Sequence, residues 1–207
     1  MAVLPLILLA LPLHASLAGP PVRLRLSQEP DTLLPHATGM ALARDVASLV
    51  HAGLYRRDSE GGWKPDLASG PPVFERRGTG VHLVVPLRQD RFWHDGRPVR
   101  AADVVATWQF LRDPARSVVL DRTVLDHVVR VEARGAHTVV LELDRPMAAA
   151  LAPFAWVLPA HVLARADGPR RLMRHPVGAG PYRLDSWLAG SRLVLRPVGR
   201  PAPGAPR

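Results

Sequence analysis

His94 and Asp95 are adjacent residues of types that bind metals, and they raise the first chemical possibility in this chain. A metal site needs side chains that converge, whereas neighbouring residues diverge. His36, His51, His82, His127, His137, His161 and His175 show no His-x-x-x-His spacing that would complete such a set. The pair therefore reads as part of a turn. The chain has no cysteine, which removes disulfides, thiolate zinc sites, a cysteine nucleophile and a lipid-modified N-terminal cysteine. It also lacks a Gly-x-Ser-x-Gly nucleophile elbow and a Gly-rich Lys-Ser/Thr phosphate loop. No catalytic set assembles, so the chain reads as a non-enzyme with no cofactor.

The residues around His94 specify the turn. Leu83, Val84, Val85 and Leu87 form a short apolar strand leading into Phe92-Trp93-His94-Asp95-Gly96-Arg97-Pro98-Val99. Asp95-Gly96 is a tight-turn signal, because glycine reaches positive φ without a Cβ clash. Ala101 to Leu111 reads as a helix ended by Asp113-Pro114, with Asp103 in its first turn, where the helix dipole favours a carboxylate.

Elsewhere strand and helix patterns interleave. Val22 to Ser27 alternates apolar and polar residues until Gln28-Glu29-Pro30-Asp31 breaks it. Leu42 to Leu54 carries Leu42, Val46, Leu49 and Val50 at helical spacing, with Gly53 near its end. Asp58 to Pro72 reads as a loop anchored by Trp63 and Leu67, and Val81 to Leu87 as a strand. Val128 to Ala133 and Thr138 to Leu143 form a hairpin around Arg134-Gly135-Ala136-His137. Pro153 and Pro159 split Met147 to Ala164 into two short helical pieces, and Tyr182 to Leu188 pairs with Arg192 to Pro197. Trp93, Trp108, Trp156 and Trp187 read as packing residues. The pattern predicts a mixed α/β (α+β) domain.

The 207 residues suffice for a real core, and 47% hydrophobic with 22% charged residues places the chain among globular proteins. The net charge of +9 rests on arginines, since Lys64 is the single lysine. They are scattered, with no basic run longer than a pair, which argues against a nucleic-acid surface. Val3 to Leu13 is apolar and followed by the small residues Ser16 and Ala18, the pattern of a secretory signal cleaved near Ala18, although no basic residue precedes it. The stretch is too short to span a bilayer. The expected organisation is a signal over 1–18, a folded lobe over 20–199 and a disordered tail over 200–207. Within the lobe, strand 22–27 and strands 182–197 form one subdomain and roughly 40–150 a second.

Five blocks in order resemble the extracellular solute-binding proteins of the peptide and nickel class (family 5), the binding components of ABC importers. They are Leu33-Leu34-Pro35-His36; Leu54-Tyr55 with Trp63-Lys64-Pro65-Asp66-Leu67-Ala68; His82 to Arg88 running through Phe92-Trp93-His94-Asp95-Gly96-Arg97-Pro98 to Ala102-Asp103-Val104; Leu158-Pro159-Ala160-His161-Val162-Leu163; and His175 to Tyr182 with Trp187 and Gly190-Ser191-Arg192-Leu193. Departures are Leu34 for Asp, Ala179 for Thr, and Arg100 where Thr or Ser caps the helix, a change worth about 0.5–2 kcal/mol of local stability. The resemblance implies the first lobe of a two-lobe fold of the type II periplasmic-binding-protein kind, with the second lobe missing. It implies capture of small solutes, with peptides foremost, outside the cytoplasmic membrane. The partners would be that ligand and an ABC permease, with no nucleic acid and a monomeric state. It assigns ligand contact to Gln28, Glu29, Pro30 and Asp31, with Glu29 or Asp31 pairing a ligand ammonium, and to Gly178, Gly180 and Tyr182. Some members offer an aromatic after the 101–111 helix, and Arg116-Ser117-Val118-Val119-Leu120 has none. The alternatives are a truncated, non-binding remnant of such a protein and an arginine-rich polyanion binder.

Overall fold

Apolar spacing accounts for most of the elements. The computed structural model describes residues 22–23, 26, 28–58, 60–77, 80–115 and 123–199. The first half contains β1 (Val22–Arg23), α1 (Ala41–Val50), β2 (Tyr55–Arg57), β3 (Trp63–Pro65), β4 (Val73–Arg77), β5 (Gly80–Pro86) and α2 (Ala101–Arg112). The second contains β6 (Val128–Ala133), β7 (Thr138–Leu143), α3 (Ala160–Leu163), α4 (Gly168–Arg174), β8 (Tyr182–Leu188) and β9 (Arg192–Pro197). The strands form three antiparallel sheets, ordered β4-β5-β7-β6, β1-β9-β8 and β2-β3.

Three clusters of buried side chains follow from this layout. Register pairs Leu83 with Leu141 and Val85 with Val139, giving the four-stranded sheet one apolar face. Ala101 and Val104 of α2, with Trp93, Leu54 and Phe154, close over that face. Farther along α2, Phe110 and Leu111 join Leu158, Val162 and Leu172 in a second cluster. Helix α1 buries Ala43, Val46, Ala47 and Val50, a stripe at i, i+3, i+4 and i+7. Val46 and Val50 pack against Leu33 and against Tyr182, Leu193 and Leu195 of the three-stranded sheet.

Both long hairpins, β5 and α2 lie where their spacing predicts, and Met147 to Ala164 splits into a 3-10 turn (Ala148–Phe154) and α3. Several expectations are corrected. The helix predicted to Leu54 stops at Val50, because the chain must leave α1 for Leu54 N to reach the Phe154 carbonyl (3.0 Å). Gly53 lies against the Ala155 carbonyl at that crossing, with no room for a Cβ. The 58–72 stretch contains β3, and Trp63 is no anchor. It is 45% exposed and lies under the Arg57 guanidinium at 4.8 Å, while Leu67 is fully buried. β4 and α4 have no predicted counterpart: β4 is a sheet edge with Val73, Phe74 and Arg76 exposed, and α4 buries only Gly168 and Leu172. The expected signal, the Arg116–Leu120 stretch and the tail lie outside the described residues.

Two joints hold the layers together. At the first, buried Asp103 accepts hydrogen bonds at Oδ2 from Arg100 N (2.7 Å) and Trp93 Nε1 (3.2 Å), and at Oδ1 from Ala160 N (2.8 Å). Asp103 N donates back to the Arg100 carbonyl (2.9 Å). The carboxylate reaches back to the residue before α2 as the acidic member of a capping box does, which offsets the loss expected from Arg100. It also ties α2 to the turn and to α3. At the second joint, the Gly178–Gly180 backbone is wedged between the end of α1 and His94. Gly180 N donates to the Val50 carbonyl (2.9 Å), and His94 N donates to the Gly178 carbonyl (2.8 Å). The His94 ring donates from Nε2 to the Gly180 carbonyl (3.0 Å) and accepts at Nδ1 from Gly178 N (3.4 Å), the pattern of a neutral imidazole. Arg91 donates to the Ala179 carbonyl (2.9 Å) while pairing with Asp66 (3.2 Å).

A Cβ at Gly178 would collide with the Val50 carbonyl oxygen, whereas one at Gly70 meets nothing within 4 Å. Gly178→Ala is therefore expected to lower the unfolding free energy by about 3 kcal/mol, the upper range for overpacking. Gly70→Ala should stay within about 0.5 kcal/mol, and urea titrations of the two variants compare them directly.

Burial pushes His36 down to about 4, only partly opposed by the Pro153 backbone, and His51 down to about 3, partly opposed by its bond to the Leu33 carbonyl. Both ring nitrogens of His36 and Nδ1 of His51 are buried without a partner in hydrogen-bond geometry. Burial lowers His94 as well. The unfolded imidazole, near 6.5, takes a proton that the folded one excludes. Stability is then lost as pH falls from 6.5 toward 4, by about 1.4 kcal/mol per pH unit for each of His36 and His51. Urea unfolding at pH 7 and pH 5 should show this drop, and equal stability at the two would contradict neutral burial.

Candidate functional site

The loop after β1 and the tip of the β8–β9 hairpin enclose an open hollow of about 220 Å³. Leu26, Gln28, Glu29 and Pro30 line one side, and Trp187, Leu188 and Gly190 to Leu193 line the other. Proline and its restricted predecessor end the strand and turn the chain here. Gly190 takes φ 68°, which makes the hairpin tip tight enough to face Glu29.

Glu29 organises the hollow. Its Oε1 accepts from Trp187 Nε1 (2.8 Å) and its Oε2 from Gly190 N (2.8 Å). Arg174 Nη1 stands 3.6 Å from Oε1 and its guanidinium lies 4.1 Å from the Trp187 ring centroid. The Gly190 amide, then the Trp187 indole, hold the Glu29 carboxyl below the usual range, with a smaller contribution from Arg174. A carboxylate has about four acceptor positions, so these contacts leave it capacity for a ligand donor.

Asp31 lies outside this hollow. Its Oδ1 accepts from Thr38 Oγ1 (2.8 Å) and Thr32 N (2.9 Å), which shapes the approach to α1. Gly178 and Gly180 are buried in the joint with Val50 and His94, and Tyr182 is buried beside α1. Of the seven residues expected at a ligand, the structure thus gathers Gln28, Glu29 and Pro30. Trp187, Gly190 and Arg174 complete the arrangement. Sequence reading placed Trp187 among packing residues, gave Gly190 only as part of a matched block and did not single out Arg174, since these residues lie 145 to 161 positions from Glu29 and only the hairpin brings them back.

Asp95 pairs with His161 (2.6 Å) and not with His94, so the adjacent pair points in two directions. Among the described residues no group of three or more His, Asp or Glu side chains converges to hold a metal ion, and no helix is long and apolar enough to cross a membrane. The arrangement offers hydrogen-bond acceptors, an indole and a turn of backbone amides, which suits reversible binding.

The model of the bacterial extracellular solute-binding proteins, family 5 Middle, matches residues 63–198. Protein XP55 of Streptomyces lividans is 32% identical over 185 residues, covering 86% of this chain and 32% of that protein. The glutathione-binding protein GsiB of Escherichia coli (strain K12) is 30% identical over 185 residues, covering 85% of this chain and 34% of its own length. Among solved structures, the PBP AgaA from A. tumefacien R10 in complex with agropinic acid aligns with TM-score 0.70 and 31% identity, over 81% of this chain and 33% of that one. NikZ from Campylobacter jejuni, in complex with Ni(L-His), aligns with TM-score 0.67 and 27% identity, over 79% of this chain and 32% of that one. The chain therefore spans about a third of the length of the curated relatives it matches. Its mixed α/β architecture is that of one lobe of the type II periplasmic-binding-protein fold. On the family match over 63–198 and these relatives, the chain belongs to the bacterial extracellular solute-binding proteins of family 5.

Proposed function

We propose that this chain supplies one wall of a solute-capturing cleft in a peptide-type ABC importer. The observation that carries the reading is the family match over residues 63–198, together with relatives named for binding glutathione or solved in complex with agropinic acid or Ni(L-His). The ligand is a peptide-sized solute, and the membrane partner is an ABC permease. The chain works as a monomer outside the cytoplasmic membrane after removal of residues 1–18, and it performs no reaction and binds no nucleic acid. Gln28, Glu29 and Pro30 present polar groups to the ligand, Glu29 accepting from its ammonium. Asp31 braces that loop, and Gly178, Gly180 and Tyr182 act from behind by holding α1 and the three-stranded sheet in place.

One wall supplies part of the contacts of a closed cleft, so its affinity is modest. Titration of the chain with glutathione, followed by NMR of the backbone amides at Gln28 and Gly190, should saturate with a Kd of about 1 mM, equivalent to about −4 kcal/mol. Gln28→Ala should weaken that binding severalfold without shifting the urea midpoint. Absence of a saturable response to glutathione and to a mixture of short peptides would refute solute capture by this chain.

A further inference from the structure

We infer that the groove between α4 and β8 is a binding site for a small, flat carboxylate. This inference goes beyond solute capture at the Gln28–Pro30 hollow and does not rest on it. The groove has a volume of about 510 Å³, within the range of small-molecule sites, and is lined by Arg171, Arg174, His175, Leu184, Asp185 and Trp187, among others.

Its charge balance favours an anion. Arg171 and Arg174 sit three residues apart, on one face of α4. Arg171 has no side-chain hydrogen bond or ion pair among the described residues, and Arg174 is only partly engaged, with Glu29 at 3.6 Å. The one carboxylate lining the groove, Asp185, is held by Arg196 at 2.7 Å, and that bond keeps it well ionised and occupied. Two carbonyls near the end of α4 are also answered. The Arg171 carbonyl accepts from His175 N (2.8 Å), and the Met173 carbonyl accepts from Leu33 N (2.8 Å) and Thr32 Oγ1 (3.3 Å). The charged side chains left uncompensated along the groove are therefore cationic.

Its shape favours a flat body. The Arg174 guanidinium lies over the Trp187 ring at 4.1 Å, a stacked platform that a planar ligand extends, while Leu184 adds apolar surface. A carboxylate on such a ligand meets the planar forks of Arg171 and Arg174, which match carboxylate geometry.

The test uses the whole 207-residue chain and two probes of equal shape, 1-naphthoate and its neutral amide, followed at the Trp187 indole resonance. Naphthoate should shift that resonance saturably with a Kd of about 5 mM or tighter, and the amide should bind about tenfold more weakly. Arg171→Gln, a change at an exposed position, should weaken naphthoate about fivefold while the Trp93 and Trp108 resonances hold still. Absence of saturation, equal binding of acid and amide, or undiminished binding by Arg171→Gln overturns the inference. The acid–amide comparison is made on the unaltered chain, so it decides the matter even where the substitution disturbs the fold. Trp187 borders both the groove and the hollow, so the Gln28 and Gly190 amides, which should hold still under naphthoate and move under peptide, tell failure of one site from failure of the other.

Discussion

The passage of the Gly178–Gly180 backbone between the end of α1 and His94 is the constraint from which the arrangement of the layers follows. Two carbonyl–amide bonds, two bonds to one imidazole ring and a guanidinium contact converge on three residues. Only residues without a side chain fit where Gly178 meets the Val50 carbonyl. Because α1 carries the cluster shared with β8 and β9, and His94 sits on the turn that opens α2, this short segment holds the small sheet against the large one. Backbone hydrogen bonds in a buried setting are directional and expensive to leave unmade, which makes such a joint rigid.

Asp103 performs the same service on the opposite side of the turn. A single carboxylate satisfies the start of α2, the Trp93 indole and the start of α3. The most recognisable stretches of the sequence therefore act as structural joints, and their polar groups are consumed by the fold. Open polar capacity is left to the loop after β1 and to the β8–β9 hairpin, where Glu29 is exposed and Trp187 half-buried.

Legibility varied with the physical signal. Hairpin β6–β7 and hairpin β8–β9 were readable because apolar alternation and a glycine turn are local. Helix α2 was readable from its acidic first turn and its Asp-Pro stop. β4 was not, because an edge strand with Val73 and Phe74 exposed has no burial pattern to betray it. α4 was not, because two buried positions in seven residues make no stripe. Trp63 misled because size suggests burial, yet a cation over its face lets it stay at the surface.

Sequence by itself determined the class of fold and the family, since each rests on residue order and on patterns a few positions long. Tertiary structure alone decided that Gly178, Gly180 and Tyr182 serve the core while Glu29 is bound by Trp187 and Gly190. Those contacts join residues more than a hundred positions apart, and short-range periodicity carries no record of which distant group will satisfy a carboxylate or crowd a glycine.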